Sequence, residues 1–250
     1  MGHIDDTSKQ EIIRELKRDL LLLQGFKSRP ADAVDMGLGP ISPAFPNQVF
    51  PTGAVHEFIS DSSDSAVASV GFMSCLIARL MATGAPCLWV ASERQVFPPG
   101  LKRFGIDPSQ IVFVDLKKEK QVLWVLEEAL KQEGLAAVVG EVKNINDIAS
   151  RRLQIAAEKT GVTGFLLRHI TRAVTPIASV ARWKITPLPS EGPKMNMPGL
   201  GFPRWSVELE RVRNGKPGSW IVECTAGRLR FLSPIATTLP IIQQQQKITG

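Results

Sequence analysis

The chain of 250 residues is 44% hydrophobic and carries a net charge of +6 with a pI near 9.4, which suits one large domain with an ordinary buried core. That basic excess admits nucleic acid as a partner without requiring it. Three cysteines, Cys75, Cys87 and Cys224, show no metal-ligand spacing and no near partner, which excludes a disulfide scaffold and points to a reducing compartment.

Residues 8–25, SKQEIIRELKRDLLLLQG, predict a helix. Ser8 and Glu11 form a capping box, Ile12, Leu16, Leu20 and Leu23 make an apolar stripe, and Gly25 stops it. Such a stripe must pack on something. Its own chain is the ordinary choice, and Leu16, Leu20 and Leu23 are also candidates for contact with a partner or a second copy. The start of the chain is charged where a secretory leader is apolar, and Leu20–Leu23 is far too short to span a bilayer. A cytoplasmic location and no membrane partner are expected.

Residues 26–53 hold five prolines and three glycines and read as a linker or long irregular loop. The rhythm then changes. AVHEFI is a strand, DSAVASVGFMSCLIARLMATG a helix stopped by Gly84, APCLWVA an apolar strand, and QVFPPGLKRFGI contains a broken helix. QIVFVDL, LAAVVGEV and VTGFLLRHI are further strands, alternating with helices in KEKQVLWVLEEALKQEG and INDIASRRLQIAAEKTG. The apolar face of the last helix is read as Ile148, Leu153 and Ile155 to Ala156.

Apolar strands alternating with longer helices predict an α/β fold with a parallel sheet covered on both faces. After Ile170 the pattern is all-β. ARWKITPLP, RWSVELERVR and GSWIVECTAG read as antiparallel strands extending the sheet, with NGKPG as a turn between the last two. The expected organisation is an N-terminal helix over 1–25, a linker over 26–53, a core over 54–232 and a flexible tail over 233–250, ordered only on a partner.

The charge is unevenly placed. From Ala31 to Gly140 there are 8 basic and 12 acidic side chains, and from Glu141 to the end 16 basic and 7 acidic. Any contact with DNA is therefore expected in the second half. Its candidates are Arg151, Arg152, Arg168, Arg172, Arg182 and Lys184, with Trp183 as a base-stacking aromatic and Lys194 in a nearby loop. Basic residues interleaved with an aromatic fit single-stranded DNA. A solvated basic face with Trp183 packed inward fits equally well.

The strand-to-helix junction at residues 60–66, SDSSDSA, stands where a nucleotide-binding protein keeps its phosphate loop. Such a loop uses glycines that aim backbone N–H groups at phosphates, a lysine, and a Ser or Thr on magnesium. Ser60, Asp61, Ser62, Ser63, Asp64 and Ser65 supply neither glycine nor lysine, and two aspartates repel a triphosphate. The aspartates are expected to cap the helix that begins near Ser65. Gly140, with Glu141 next, ends a strand that would ordinarily close on a magnesium-binding aspartate. Glu93, at the end of CLWVAS, is the one weak candidate for a water-activating carboxylate. Glu57 reads as a sheet or loop contact. No cofactor and no metal are expected, since no His, Cys or carboxylate set has ligand spacing. His56, Asp61 and Ser63 lack the elbow that activates a serine.

The order of these motifs resembles the core of RecA recombinase, most closely in the P.G..HE entry (Pro51 to Glu57) and in LKRFGIDPSQI. More narrowly, SRRLQIAAEKTGVTGFLLR, P.ASVARWKITPLPS, RWSVELERVRNGKPGSW and VEC resemble the ImuA family, RecA-like accessory factors of bacterial SOS mutagenesis. The resemblance covers about residues 50–232. It implies a RecA-like core in which residues 60–66 replace the phosphate loop, Gly140 replaces the magnesium aspartate and Glu93 falls near the catalytic glutamate. With two of three elements lost, it implies a non-catalytic adaptor in error-prone translesion synthesis. Its implied partners are ImuB, a Y-family polymerase relative lacking catalysis, and an error-prone polymerase, with RecA, single-stranded DNA and self-association as further expectations. Arg168, His169 and Arg172 fall where RecA-type folds keep DNA-binding loops. The division inhibitor SulA shares the shrunken core, although the basic helix–strand pair and the longer tail favour ImuA. The alternatives are a divergent DNA-dependent ATPase, using Asp61, Asp64 or Glu93 with magnesium, and a SulA-like inhibitor of cell division.

Overall fold

Strand β1 (Val55–Ser60) is buried at every position, and the sheet grows outward from it. The computed structural model describes Leu16 and residues 34–94, 96–170, 176–190 and 201–232. Leu20, Leu23, Arg172, Lys194 and the tail 233–250 lie outside them, as does the expected helix 8–25 apart from Leu16.

On one side of β1 stand β5 (Thr163–His169), β4 (Ala137–Glu141), β2 (Cys87–Ala91) and β3 (Ile111–Asp115), all parallel. On the other side β6 (Ala181–Leu188) is also parallel, and β7 (Arg204–Val212), β8 (Gly218–Thr225) and β9 (Arg228–Leu232) continue antiparallel. The order is β3-β2-β4-β5-β1-β6-β7-β8-β9 in one nine-stranded sheet. This is the expected α/β architecture, a parallel RecA-like core extended by antiparallel strands. The last strand was not foreseen. Ala226 and Gly227 both have positive φ, the geometry of a tight hairpin turn, and RLRFL pairs back on β8.

Helix α1 (Ser63–Leu80) covers one face and brings Phe72, Met73, Leu76 and Ile77 into full burial with Phe58, Trp89, Phe165 and Trp183. By length and composition this helix could cross a membrane, but here it is the core helix of the domain. Helices α2 (Glu119–Leu130) and α3 (Asp147–Thr160) cover the other face, over a second cluster that includes Val55, Val90, Val122, Leu126, Val138, Leu153 and Leu166. Ile148 and Ile155 are 72% and 64% exposed, which corrects the apolar face expected for α3. Two polar residues take inward positions instead. Gln154 accepts from the Val55 N–H at 2.9 Å and Ser150 accepts from the Ala178 N–H at 3.0 Å. Each closes a backbone donor that burial would otherwise strand, so hydrophobic period alone misplaces the face.

The stretch 34–53 is not a linker. Met36, Leu38, Ile41, Ala44, Phe45 and Phe50 are buried in the α1-side core, carried on the 3-10 turns Gly39–Ala44 and Pro46–Gln48. The prolines stop regular helix, yet the residues between them are apolar, and Phe45 packs against Trp183 with ring centroids 5.8 Å apart. The cysteine reading also changes. Cys75 on α1 and Cys224 on β8 meet with sulfurs 3.2 Å apart, both buried.

Phe50 stacks flat on His56 at 4.2 Å. His56 is fully buried, donates from Nε2 to the Pro51 carbonyl at 2.8 Å and accepts on Nδ1 from Trp183 Nε1 at 3.4 Å. Burial pushes its pKa down from 6.5 to about 4, against the opposing pull of the Pro51 carbonyl. The unfolded chain thus binds a proton below pH 6.5 that the folded chain refuses until about pH 4. The stability held above pH 6.5 is lost as pH falls through that window, by about 1.4 kcal/mol per unit. Urea midpoints should drop between pH 6.5 and 5 by about 2 kcal/mol equivalent, and His56→Phe should flatten the dependence. Equal wild-type midpoints would refute the buried neutral imidazole.

Candidate functional site

Parallel strands β1, β2, β4 and β5 end on one edge, the place where open α/β sheets hold their ligands. The connection from β1 to α1 there is only Asp61 and Ser62. A phosphate cradle needs a longer loop whose backbone N–H groups converge, and none fits in two residues. The side chains of the junction are engaged locally. Ser60 Oγ donates to the Arg168 carbonyl at 3.3 Å. Ser62, rather than an aspartate, caps α1 by accepting from the Ser65 N–H at 3.2 Å, and it also donates to Ser65 Oγ at 3.0 Å. Asp64 sits in the first helical turn and Ser63 begins it. Asp61 lies 3.0 Å from Lys184, whose ammonium holds its carboxyl below the usual range. A fixed negative charge therefore stands where phosphate would.

At Gly140, where the RecA resemblance would put a magnesium-binding aspartate, the Leu126 side chain occupies the space. A Cβ on Gly140 would stand 2.3 Å from Leu126 Cδ1 and 2.7 Å from Cδ2, so α2 fills the space that an aspartate needs. Next in β4, Glu141 accepts from Trp89 Nε1 at 2.7 Å. Glu93 is 74% exposed and meets Lys143 at 3.3 Å, a surface ion pair.

What the edge does hold is a pocket of about 330 Å³. Val67 and Val70 of α1, Phe97, Leu101 and Phe104 of the segment after β2, and Leu167 of β5 form its apolar lining, with Glu93, Glu141, Lys143 and His169 on its polar side. None of the apolar lining residues was singled out from sequence. The available signal was VFPPG, an aromatic next to two prolines that forbid a strand and leave Phe97 72% exposed.

No family model matches the chain. The Protein ImuA of Caulobacter vibrioides is 36% identical over 206 residues, covering 78% of this chain and 84% of that protein, in each of two strains. The chain belongs to the ImuA family. Its fold also matches the crystal structure of the RadB recombinase, with a TM-score of 0.50 at 15% identity over 72% of this chain and 91% of that one.

In this ImuA-family chain the basic candidates divide sharply. Trp183 is fully buried, stacked near Phe58 with centroids 5.9 Å apart, so it offers no face to a base. Arg168 and Arg182 are also withdrawn from DNA. Both bind the fully buried carboxylate of Glu57, Arg168 through Nη1 and Arg182 through Nε at 2.8 Å. Arg211 joins them, donating to Ser179 Oγ at 2.7 Å and to the Ile177 carbonyl at 2.9 Å. The sequence signal for this network was a glutamate inside the apolar strand AVHEFI, facing an arginine inside GFLLRH. Arg151 and Arg152 do face solvent on α3, paired with Asp147 at 2.8 Å and with Glu127 at 2.7 Å. Lys184 is a third with Asp61, whereas Leu16 is 59% exposed. Among the described residues no group of three His, Cys, Asp or Glu side chains is placed to hold a metal.

Proposed function

We propose that this ImuA-family chain is a RecA-like adaptor, without ATP hydrolysis of its own, in SOS-induced error-prone translesion synthesis. In this role it contacts an ImuB-like Y-family polymerase relative and, with it, an error-prone polymerase. The observation that carries the reading is the two-residue β1–α1 connection, reinforced by Leu126 in the place of a magnesium carboxylate. A protein keeps a RecA fold through such losses only if the fold itself is useful, as a rigid platform whose edges and faces meet other proteins. Fold alone does not assign a role, so the reading is supported by the family membership for the pathway and by the short, self-engaged junction for a role without ATP hydrolysis.

The test is a titration of the purified chain with magnesium-ATP, with and without single-stranded DNA, followed by capture of a purified ImuB-like protein from the same organism. The expected result is no saturable nucleotide binding, no turnover, and capture that is indifferent to nucleotide. Turnover that disappears in Glu93→Gln would restore an enzyme and end the adaptor reading.

A further inference from the structure

We propose that Cys75 and Cys224 form an oxidisable dithiol, which a two-electron oxidant of the peroxide class closes to a disulfide between α1 and β8. The proposal is independent of the adaptor reading. It starts from placement. The two residues are 149 positions apart, yet the fold sets their sulfurs 3.2 Å from each other. A bond is about 2.05 Å long, so an approach of about 1.2 Å, within the reach of side-chain rotation, completes it.

The surroundings favour reaction at one of the two sulfurs. Cys75 donates to Cys224 and so holds the Cys224 thiol below its ordinary pKa, helped by the Gly227 N–H and the positive charge of Arg103 against the opposing effect of burial. A sulfur under cationic influence, with a second thiol in contact, has the setting of a reactive cysteine and its resolving partner. Cys87 is the contrast. It is fully buried without a second sulfur, and burial pushes its thiol up to about 12.

Access comes from the edge of the sheet. Cys224 is paired in register with half-buried Leu229 of β9, the outermost strand of the described sheet and five residues long. Short edge elements open locally at a lower free energy than the core, and opening β9 uncovers the Cys224 sulfur to a molecule as small as hydrogen peroxide.

The Cys224 thiolate attacks one peroxide oxygen. An S–O bond forms, the O–O bond breaks, and the leaving hydroxide is protonated to water. Cys75 then attacks the resulting sulfenic acid. The S–S bond forms, the S–O bond breaks, and the departing oxygen leaves as water with the Cys75 proton. The two sulfurs give up two electrons, and one peroxide becomes two waters. The product ties the core helix to the antiparallel extension across 149 residues, a closure that should raise the urea midpoint.

The experiment exposes the reduced full-length chain to hydrogen peroxide, with glutathione as a reference thiol, and counts thiols with a maleimide after denaturation. The expected result is loss of two thiols of the three, faster than glutathione reacts. A Cys75–Cys224 linked peptide should appear by mass spectrometry, with a raised urea midpoint and reversal by dithiothreitol. Cys75→Ser should stop at a Cys224 sulfenic acid that dimedone labels, and Cys224→Ser should slow oxidation of Cys75 at least about ten-fold. The wild-type thiol count and the linked peptide decide the proposal even where a variant does not fold. Retention of three thiols, loss of all three together, oxidation slower than glutathione, or a link between two chains overturns it.

Discussion

Gly140→Asp is expected to destabilise the chain by roughly 4 kcal/mol or more and to leave magnesium-ATP binding undetectable. The substitution formally restores the carboxylate that an ATP-hydrolysing relative of this fold uses at the end of this strand. Its Cβ alone would overlap Leu126, at 2.3 Å from one methyl and 2.7 Å from the other. Gly140 is held in register with Val90 of β2 and Leu166 of β5, so the backbone cannot swing away without breaking two ladders. The carboxylate would then sit among Leu126, Val122 and Val138, where an unpaired charge is costly. Overpacking contributes about 1–3 kcal/mol and the buried carboxyl the remainder. Leu126→Ala in the same chain makes room for the new side chain but leaves its charge, so recovery should be partial. Urea melts of the wild type, the single variant and the double variant decide the point. A Gly140→Asp chain of wild-type stability that binds magnesium would mean that α2 yields easily, and that the site is latent rather than closed.

That closure was half visible beforehand. The missing lysine and glycines of SDSSDSA are letters in the sequence, and so is the glycine at 140. The shortness of the β1–α1 connection was not, because the capping role fell to Ser62 and the helix began two residues earlier than Asp61 and Asp64 suggested. The strands were legible because each is a run of apolar residues between turn signals. The buttress over 34–53 was not, since prolines mark irregular backbone and say nothing of whether that backbone is buried. Arg168, Arg182 and Trp183 turned inward for a related reason. A sequence shows charges along the chain, while pairing is set across the sheet, and Glu57, Arg168 and Arg182 come together only because β5, β1 and β6 are adjacent. The pocket was the least legible of all, being a property of where α1, the segment after β2 and β5 converge.

The same adjacency makes Arg168 a test between two accounts. If Arg168 held DNA, Arg168→Ala would weaken DNA binding and leave stability almost untouched, as most surface substitutions do, within about 0.5 kcal/mol. Buried on Glu57, it is expected instead to cost about 3–5 kcal/mol, because removing one partner of a buried pair strands the other. Glu57→Gln should cost a similar amount, about 3–5 kcal/mol, since it leaves Arg168 and Arg182 together without their shared carboxylate. The double variant should fall well short of the sum, with a coupling in the range of about 0.5–3 kcal/mol that contacting residues show. Glu57→Leu with Arg168→Met and Arg182→Met replaces the cluster by apolar groups and should recover most of the loss, because the desolvation of the charges is recovered with them. Additive single-variant effects below about 1 kcal/mol would instead place Arg168 at a solvated surface and reopen the DNA-contact reading. The expected pattern has a functional corollary. Arg168 lies next to the end of β5 beside the pocket, so the ion network that locks β5 to β1 and β6 also fixes one wall of that pocket.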